Sequence, residues 1–299
     1  MVADAWRGVK LGGAGCAELF KNAEQTTSLQ WGCAPATFAA SKTFRRAIGV
    51  DVIEGWLDCS LLQHPFLKVF LDGRQLPAPV FASTRSVAGQ PVTGFVDALK
   101  TRAAFAEGAT LMFCNLHEWH APCRDLCRSL TESLLAEVKA TAFYSPAGCQ
   151  GLATHRDDAH VFVAQLAGQK QWAVGDVATD PSSRRHGPVD ARVCGPAQVI
   201  TLGPGDGLYL PPYAAHHATA LPSSDSLHLS IAVREPVSRD AVDVAVSQVL
   251  SAAAQRVELA GDAAARATQV RALLKSLAEE LIDLDPDEVV AALAARYVR

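Results

Sequence analysis

Between Thr110 and Val233 the chain is cut into short β-branched and aromatic runs, and this punctuation constrains the fold more than any other feature of the sequence. The runs are Thr110 to Cys114, Thr141 to Tyr144, Val161 to Gln165, Gln171 to Val174, Val199 to Leu202, Gly207 to Leu210 and Leu227 to Val233. Turn segments such as Ser145-Pro146-Ala147-Gly148 and Gly203-Pro204-Gly205-Asp206-Gly207 separate several of them, and one helix, about Pro122 to Val138, intervenes. Many short strands with Gly and Pro between them predict an antiparallel sandwich or barrel.

The flanks read differently. Residues 1–90 mix polar, helix-like stretches with short apolar runs. One of these, Leu67 to Leu71, ends at Asp72-Gly73, a hairpin turn signal. After Glu235-Pro236 the strand pattern stops. Val270, Leu273, Leu274, Leu277 and Leu281 then recur at helical spacing, and Asp285-Pro286-Asp287-Glu288 has the N-cap Asp, N1 Pro and N3 Glu of a helix start. The expected division is a mixed α/β part over 1–90 packing on the barrel, a barrel over 91–235 and a helical region over 236–299.

With 299 residues, 49% hydrophobic and 19% charged, the chain has the composition of a globular protein with a large core. The net charge of -4 and a single basic cluster, Arg184-Arg185-His186, give no electrostatic footprint for nucleic acid, so direct nucleic-acid binding is not expected. The start, Met1-Val2-Ala3-Asp4-Ala5-Trp6, lacks a basic and an apolar signal region, and no run approaches the ~20 apolar residues of a spanning helix. A cytoplasmic location without membrane contact is therefore expected. Eight scattered Cys read as reduced thiols rather than a disulfide framework.

The chemistry starts at His155-Arg156-Asp157. Residues two apart on a strand face the same way and can share one metal ion, although an H-x-D of this kind also arises by chance. His216, about sixty residues further on in the same strand-rich block, supplies a third candidate. Two His and one Asp on one face of a metal leave the other face open, as in the facial triad of non-haem Fe(II) oxygenases. Lys170 stands alone in an apolar context; it is either a solvated residue at a hairpin edge after Gly168 or a buried cation awaiting a carboxylate. His217 neighbours His216, but adjacent strand residues face opposite ways. His160, His228 and Asp158 are candidates for positions beside the site. His117, His120, Cys123 and Cys127 lie close together but match no compact zinc spacing.

Several collinear motifs add a resemblance. Phe143-Tyr144-Ser145-Pro146-Ala147-Gly148-Cys149-Gln150-Gly151-Leu152-Ala153-Thr154-His155-Arg156-Asp157-Asp158 with Val161-Phe162 and Gly168-Gln169-Lys170-Gln171-Trp172 resembles the JmjC-type ribosomal oxygenases, cupin-like 2-oxoglutarate enzymes that hydroxylate ribosomal proteins. Gly108 to Phe113, Gly205 to Pro211 with His216, and Ser226-Leu227-His228-Leu229-Ser230 extend the likeness over about residues 90–235. The resemblance implies a mainly β fold with helices, a double-stranded β-helix (cupin/JmjC jelly roll) followed by a C-terminal helical segment. It implies Fe(II) held by His155, Asp157 and His216, with these three as the catalytic centre. Lys170 then pairs with the distal carboxylate of 2-oxoglutarate, and Ser230 and Thr141 contact this co-substrate. The implied reaction uses O2, converts 2-oxoglutarate to succinate and hydroxylates a C–H bond of a protein or peptide side chain, ribosomal proteins being the family's substrates. The helices after Pro236 resemble the family's dimerisation segment, which implies a homodimer.

Three departures bear on that expectation. The family often has Asn and Tyr where this chain has Thr141 and Phe143, and Phe143 has no hydroxyl to offer 2-oxoglutarate. Its Pro-Arg-Gly before the distal His is here Pro211-Pro212-Tyr213. The tail has little room for the winged-helix domain of longer members. A hydroxylase of a small amino-acid or peptide natural product is therefore an alternative reading, and a non-catalytic cupin that senses a metal or 2-oxoglutarate is another.

Overall fold

A computed structural model of the chain describes residues 18–22, 24–27, 29–180, 182–252 and 259–297. The amino-terminal start read above for a targeting signal lies outside them. The described residues up to Arg234 form one compact unit and those from Glu235 a second.

The strands of the first unit are, in chain order, β1 Ala36–Ala39, β2 Leu67–Leu71, β3 Arg74–Gln75, β4 Ala82–Val87, β5 Gln90–Val96, β6 Thr110–Phe113, β7 Glu137–Ser145, β8 His155–Arg156, β9 His160–Ala167, β10 Lys170–Val177, β11 Gly187–Pro188, β12 Gln198–Leu202, β13 Asp206–Leu210, β14 Ala214–Ala220 and β15 Ser226–Arg234. Eight of them make a large sheet in the order β1-β13-β9-β15-β7-β6-β2-β3, and five make a small sheet in the order β11-β8-β14-β10-β12. Their pairings are antiparallel throughout, and from β7 to β10 and again from β12 to β15 successive strands alternate between the sheets, which is the double-stranded β-helix expected from the resemblance. All seven predicted runs are strands. The short run before Asp72-Gly73 is also correct: β2 and β3 close a hairpin in which Asp72 and Gly73 both have positive φ, 50° and 75°, the twist that a two-residue loop requires.

The period of two along the strands decides what lies on each side. Val161 and Val163 of β9 and Leu208 and Leu210 of β13 meet Trp172 and Val174 of β10, Leu202 of β12 and Ala218 of β14, so the two sheets share an apolar core at one end of the barrel. On the outer face of the large sheet, Val138, Ala140, Ala142 and Tyr144 of β7 belong to a second core with Cys123, Leu126, Cys127 and Leu130. Those four come from the helix Ala121–Leu134, whose apolar side they define. The inner, odd-numbered residues of β7 are left to line the barrel. The helix is shorter than predicted, ending at Leu134 rather than near Val138. Leu135 takes a left-handed φ of 49° and Val138 is already a buried strand residue, because the chain must turn to start β7 at Glu137.

The second unit consists of the helices Ser238–Ala252, Ala263–Ile282 and Pro286–Tyr297. Asp285 accepts from the Asp287 N–H at 2.9 Å, as the capping pattern predicts. Among the described residues no helix is long and apolar enough to cross a membrane.

Candidate metal centre

The small sheet assembles the predicted triad. Strand pairing sets His155 of β8 directly opposite His216 of β14, and Asp157 follows two residues after His155 on the same side. One donor atom from each of His155, Asp157 and His216 lies within 4.8 Å of the others, and theirs is the one such group among the described residues. Asp157 Oδ2 is 3.9 Å from His155 Nε2 and 3.6 Å from His216 Nε2. The far ring nitrogens are committed to backbone: His155 Nδ1 donates to the Ala153 carbonyl at 2.8 Å and His216 Nδ1 to that of Ala214 at 3.0 Å. A neutral imidazole with its proton on Nδ1 carries its lone pair on Nε2, so both lone pairs face the carboxylate oxygen. Two convergent lone pairs and one anionic oxygen form a donor set that fits a divalent cation, with the backbone carbonyls fixing both rings. Burial also favours the ligating form, since it lowers the His216 pKa to about 4, helped by the neighbouring His155.

His217 occupies no place in this cluster. Its Nδ1 is 3.0 Å from Thr154 Oγ1, in keeping with the alternation along β14. His160 faces away as well: its ring stacks on Trp31 with centroids 3.8 Å apart, and its Nδ1 is 2.9 Å from the Tyr209 hydroxyl. The four clustered His and Cys are also occupied elsewhere. His120 Nε2 meets the Ala47 carbonyl, Ala140 N–H donates to His117 Nδ1, and Cys123 and Cys127 lie in the core, where burial raises both thiols, Cys123 to about 12.

A cavity of about 510 Å³ runs inward from the triad. Lys170 stands at its closed end and is 1% exposed, which removes the solvated hairpin-edge alternative. Gly168, with φ 60°, makes the turn that directs the chain into β10; a Cβ there would fall on the Asp225 backbone. Lys170 Nζ donates to Ser145 Oγ at 2.8 Å and lies 3.5 Å from His228 Nδ1. Ser145 Oγ is in turn 2.9 Å from Thr110 Oγ1. Among the described residues no carboxylate pairs with this cation, and burial lowers its pKa to about 7. A buried ammonium with only neutral partners is costly, and an entering carboxylate would relieve that cost.

Between the lysine and the triad the wall is built by cross-strand pairs of β15 and β7. Ser230 stands opposite Thr141 and His228 opposite Phe143, and all four line the cavity. The Phe143 and His228 rings stack with centroids 4.8 Å apart and planes 10° from parallel, while Trp172 meets His228 edge-on at 5.2 Å. Burial, with Lys170 and His216 nearby, holds His228 well below its ordinary pKa, so it is neutral.

The altered loop before the distal His also finds its explanation here. Tyr213 adopts φ 64°, a left-handed conformation that a bulky residue takes only under constraint. The constraints are visible. Tyr213 N–H donates to the Asp157 carbonyl at 2.7 Å, the buried Arg156 donates to the Tyr213 carbonyl, and the Arg184 guanidinium lies 5.8 Å over the Tyr213 ring. Arg156, whose side chain leaves the opposite face of β8 from the ligands, also donates to the Asp176 carbonyl and carboxylate at 3.0 and 2.9 Å. Sequence reasoning missed Ser145 and Arg156. The first was detectable as the next inward residue after Phe143 on β7. Arg156 offered no signal, because nothing local shows that a charge between His155 and Asp157 will be buried.

Comparison with known proteins agrees with this geometry. Residues 116–241 match the JmjC domain family. The chain is 30% identical over 133 residues to the bifunctional lysine-specific demethylase and histidyl-hydroxylase NO66 of Dictyostelium discoideum, a match that covers 42% of this chain and 26% of that protein. It is 31% identical over 128 residues to NO66 of Branchiostoma floridae, covering 42% and 18%. The match thus spans about a quarter or less of the length of these curated relatives. Among solved structures, the ribosomal oxygenase YcfD from Escherichia coli, in complex with cobalt and 2-oxoglutarate, superposes with a TM-score of 0.60 at 19% identity, over 94% of this chain and 72% of that one. By its domain match, residues 116–241 of the chain form a JmjC domain, and the barrel has the fold of the ribosomal oxygenase structures.

Proposed function

We propose that this chain is an Fe(II)- and 2-oxoglutarate-dependent oxygenase that hydroxylates a C–H bond of a polypeptide side chain, with ribosomal proteins the first substrate class to test. One observation carries the reading: a single cavity joins a three-donor cluster to a buried lysine that has no carboxylate partner among the described residues. His155, Asp157 and His216 would hold the metal, which when bound supplies O2 activation as 2-oxoglutarate is decarboxylated to succinate.

The chain's own residues do the rest. Lys170 Nζ and Ser145 Oγ give the far carboxylate of the co-substrate a charge-assisted anchor at the closed end. Thr141 and Ser230 place hydroxyls along the wall between that anchor and the metal ligands. Phe143 brings no hydroxyl; it holds His228 flat, so a ring nitrogen rather than a phenol faces Lys170. Val161 and Trp172 line the same cavity and exclude water from it. The closed end thus suits the co-substrate, and the substrate side chain is left to approach from the side of His186 and His217.

The replaced loop, Pro211-Pro212-Tyr213, favours one rival, a small amino-acid or peptide substrate. A non-catalytic sensor is the other. Succinate formation from 2-oxoglutarate, measured with ribosomal proteins, with a low-molecular-weight extract and with neither, separates the three readings: dependence on the polypeptide fraction supports ours. We further infer a cytoplasmic homodimer. The helix Ala263–Ile282 leaves Val270, Leu273 and Leu274 at 37, 53 and 60% exposure, an apolar stripe that a second copy would cover.

A further inference from the structure

We propose that His186 is a positioning residue for the Asp157 carboxylate, so that the loop between β10 and β12 is tied to the metal centre; this rests on the reading of His155, Asp157 and His216 as metal ligands. Strand β11 pairs with β8 in a register that sets Gly187 opposite Arg156 and Pro188 opposite His155. One residue further in an antiparallel pair, position 186 faces position 157 on the same side of the sheet. The distances agree. His186 Nδ1 is 3.5 Å from Asp157 Oδ1, whereas Oδ2 is the oxygen turned to the two histidine Nε2 atoms.

The two carboxylate oxygens therefore have different partners. A hydrogen on His186 Nδ1 would face Oδ1, so the carboxylate would be held with Oδ2 towards the two histidine Nε2 atoms, where His155, Asp157 and His216 would hold the metal. His186 is also 4.0 Å from Asp158 Oδ1, and that carboxylate has Arg234 Nε at 3.7 Å, so Asp158 is shared while the contact to Asp157 is the shorter one. The loop is built to keep His186 there. Val189 N–H donates to the Thr154 carbonyl at 2.9 Å on one side, and on the other Arg184 donates to the Ala178 carbonyl and covers Tyr213, whose N–H holds the Asp157 carbonyl. Asp157 is thus held at its backbone by Tyr213, and His186 is the group that stands beside its Oδ1. At 64% exposure the imidazole remains reachable from the mouth, where the substrate would approach.

The test uses the full chain and Mn(II) or Co(II) alone. Mn(II) titration of wild type, His186→Ala and His186→Gln should show the Kd raised on the order of 10-fold in His186→Ala, the low end of what losing a partner of a metal-ligating group costs. His186→Gln, which retains an N–H donor, should recover most of that loss. The absorption spectrum of the Co(II)-loaded protein should change in His186→Ala and return towards wild type in His186→Gln. Wild-type affinity and an unchanged Co(II) spectrum in His186→Ala overturn the proposal. So does an equal loss in both variants with an unchanged spectrum, which would assign the effect to loop folding rather than to the side chain. Failure of wild type to bind Mn(II) would refute the metal-ligand reading itself and is distinguishable from either outcome.

Discussion

Lys170 Nζ donates to Ser145 Oγ at 2.8 Å at the sealed end of the barrel cavity, with the donor cluster of His155, Asp157 and His216 at the other end. The pairing is chemically incomplete, because a hydroxyl cannot neutralise a buried ammonium. It fixes the direction of the site: whatever binds between the two ends should carry an anion at the lysine end and a metal-chelating group at the other.

Removing the cation is the direct consequence to examine. Lys170→Ala should weaken 2-oxoglutarate binding by roughly 3–5 kcal/mol, since the far carboxylate is then left unpaired in a poorly solvated pocket. Mn(II) binding should persist. Isothermal titration of the Mn(II)-loaded variant against 2-oxoglutarate checks both, and a wild-type dissociation constant would remove Lys170 from the anchor.

The lowered pKa of Lys170, about 7, gives a pH dependence with a definite sign. Below pH 7 the lysine is already charged and 2-oxoglutarate binds without taking up a proton. Above it the free site is increasingly neutral, and binding of the anion must recharge the lysine. The other ring facing Nζ, His228, is held neutral by burial and contributes no opposing step. The dissociation constant should therefore rise with pH, approaching about tenfold per unit above pH 7. Titrations from pH 6 to 9 in Mn(II) test this, and an affinity independent of pH would show that Lys170 keeps its proton in the free protein.

Neighbouring histidines should separate cleanly. Asp157→Ala and His216→Ala should each abolish Mn(II) binding, whereas His217→Ala, which loses only its contact with Thr154, should keep one equivalent. Metal lost from His217→Ala and retained in His216→Ala would reverse the facing assigned to β14.

These residues also show what could be read before the structure. The barrel was legible because its signal is local: period-two runs between turns specify strands, and Asp72-Gly73 specifies a hairpin wherever the hairpin lies. The triad was legible because His155 and Asp157 are two apart on one strand and His216 belongs to a motif whose spacing matches the family. Lys170 was ambiguous, because burial is a property of the sheet packed over it and not of the apolar run around it. His186 was read only as part of a basic cluster, since a pairing segment of two residues, Gly187-Pro188, leaves no periodicity to detect. Tyr213 was legible only as a departure from the family's Pro-Arg-Gly; Arg156, Asp157 and Arg184 hold it from three sides.

The exposed stripe on the helix Ala263–Ile282 leads to a prediction about assembly. Replacing Leu273 and Leu274 together by Asp in the full chain should convert a dimer to a monomer in sedimentation velocity, with the barrel's Mn(II) affinity unchanged. A dimer of undiminished affinity in that variant would remove the stripe from the interface.

Polypeptide hydroxylation at this site is read out by intact-mass and tandem mass spectrometry of ribosomal proteins incubated with the protein, Fe(II), 2-oxoglutarate and O2. One oxygen atom should be gained on a single side chain, and the gain should be absent without 2-oxoglutarate and with Asp157→Ala. Unmodified polypeptides, with succinate formed only in the presence of a low-molecular-weight fraction, would overturn polypeptide hydroxylation as the reaction.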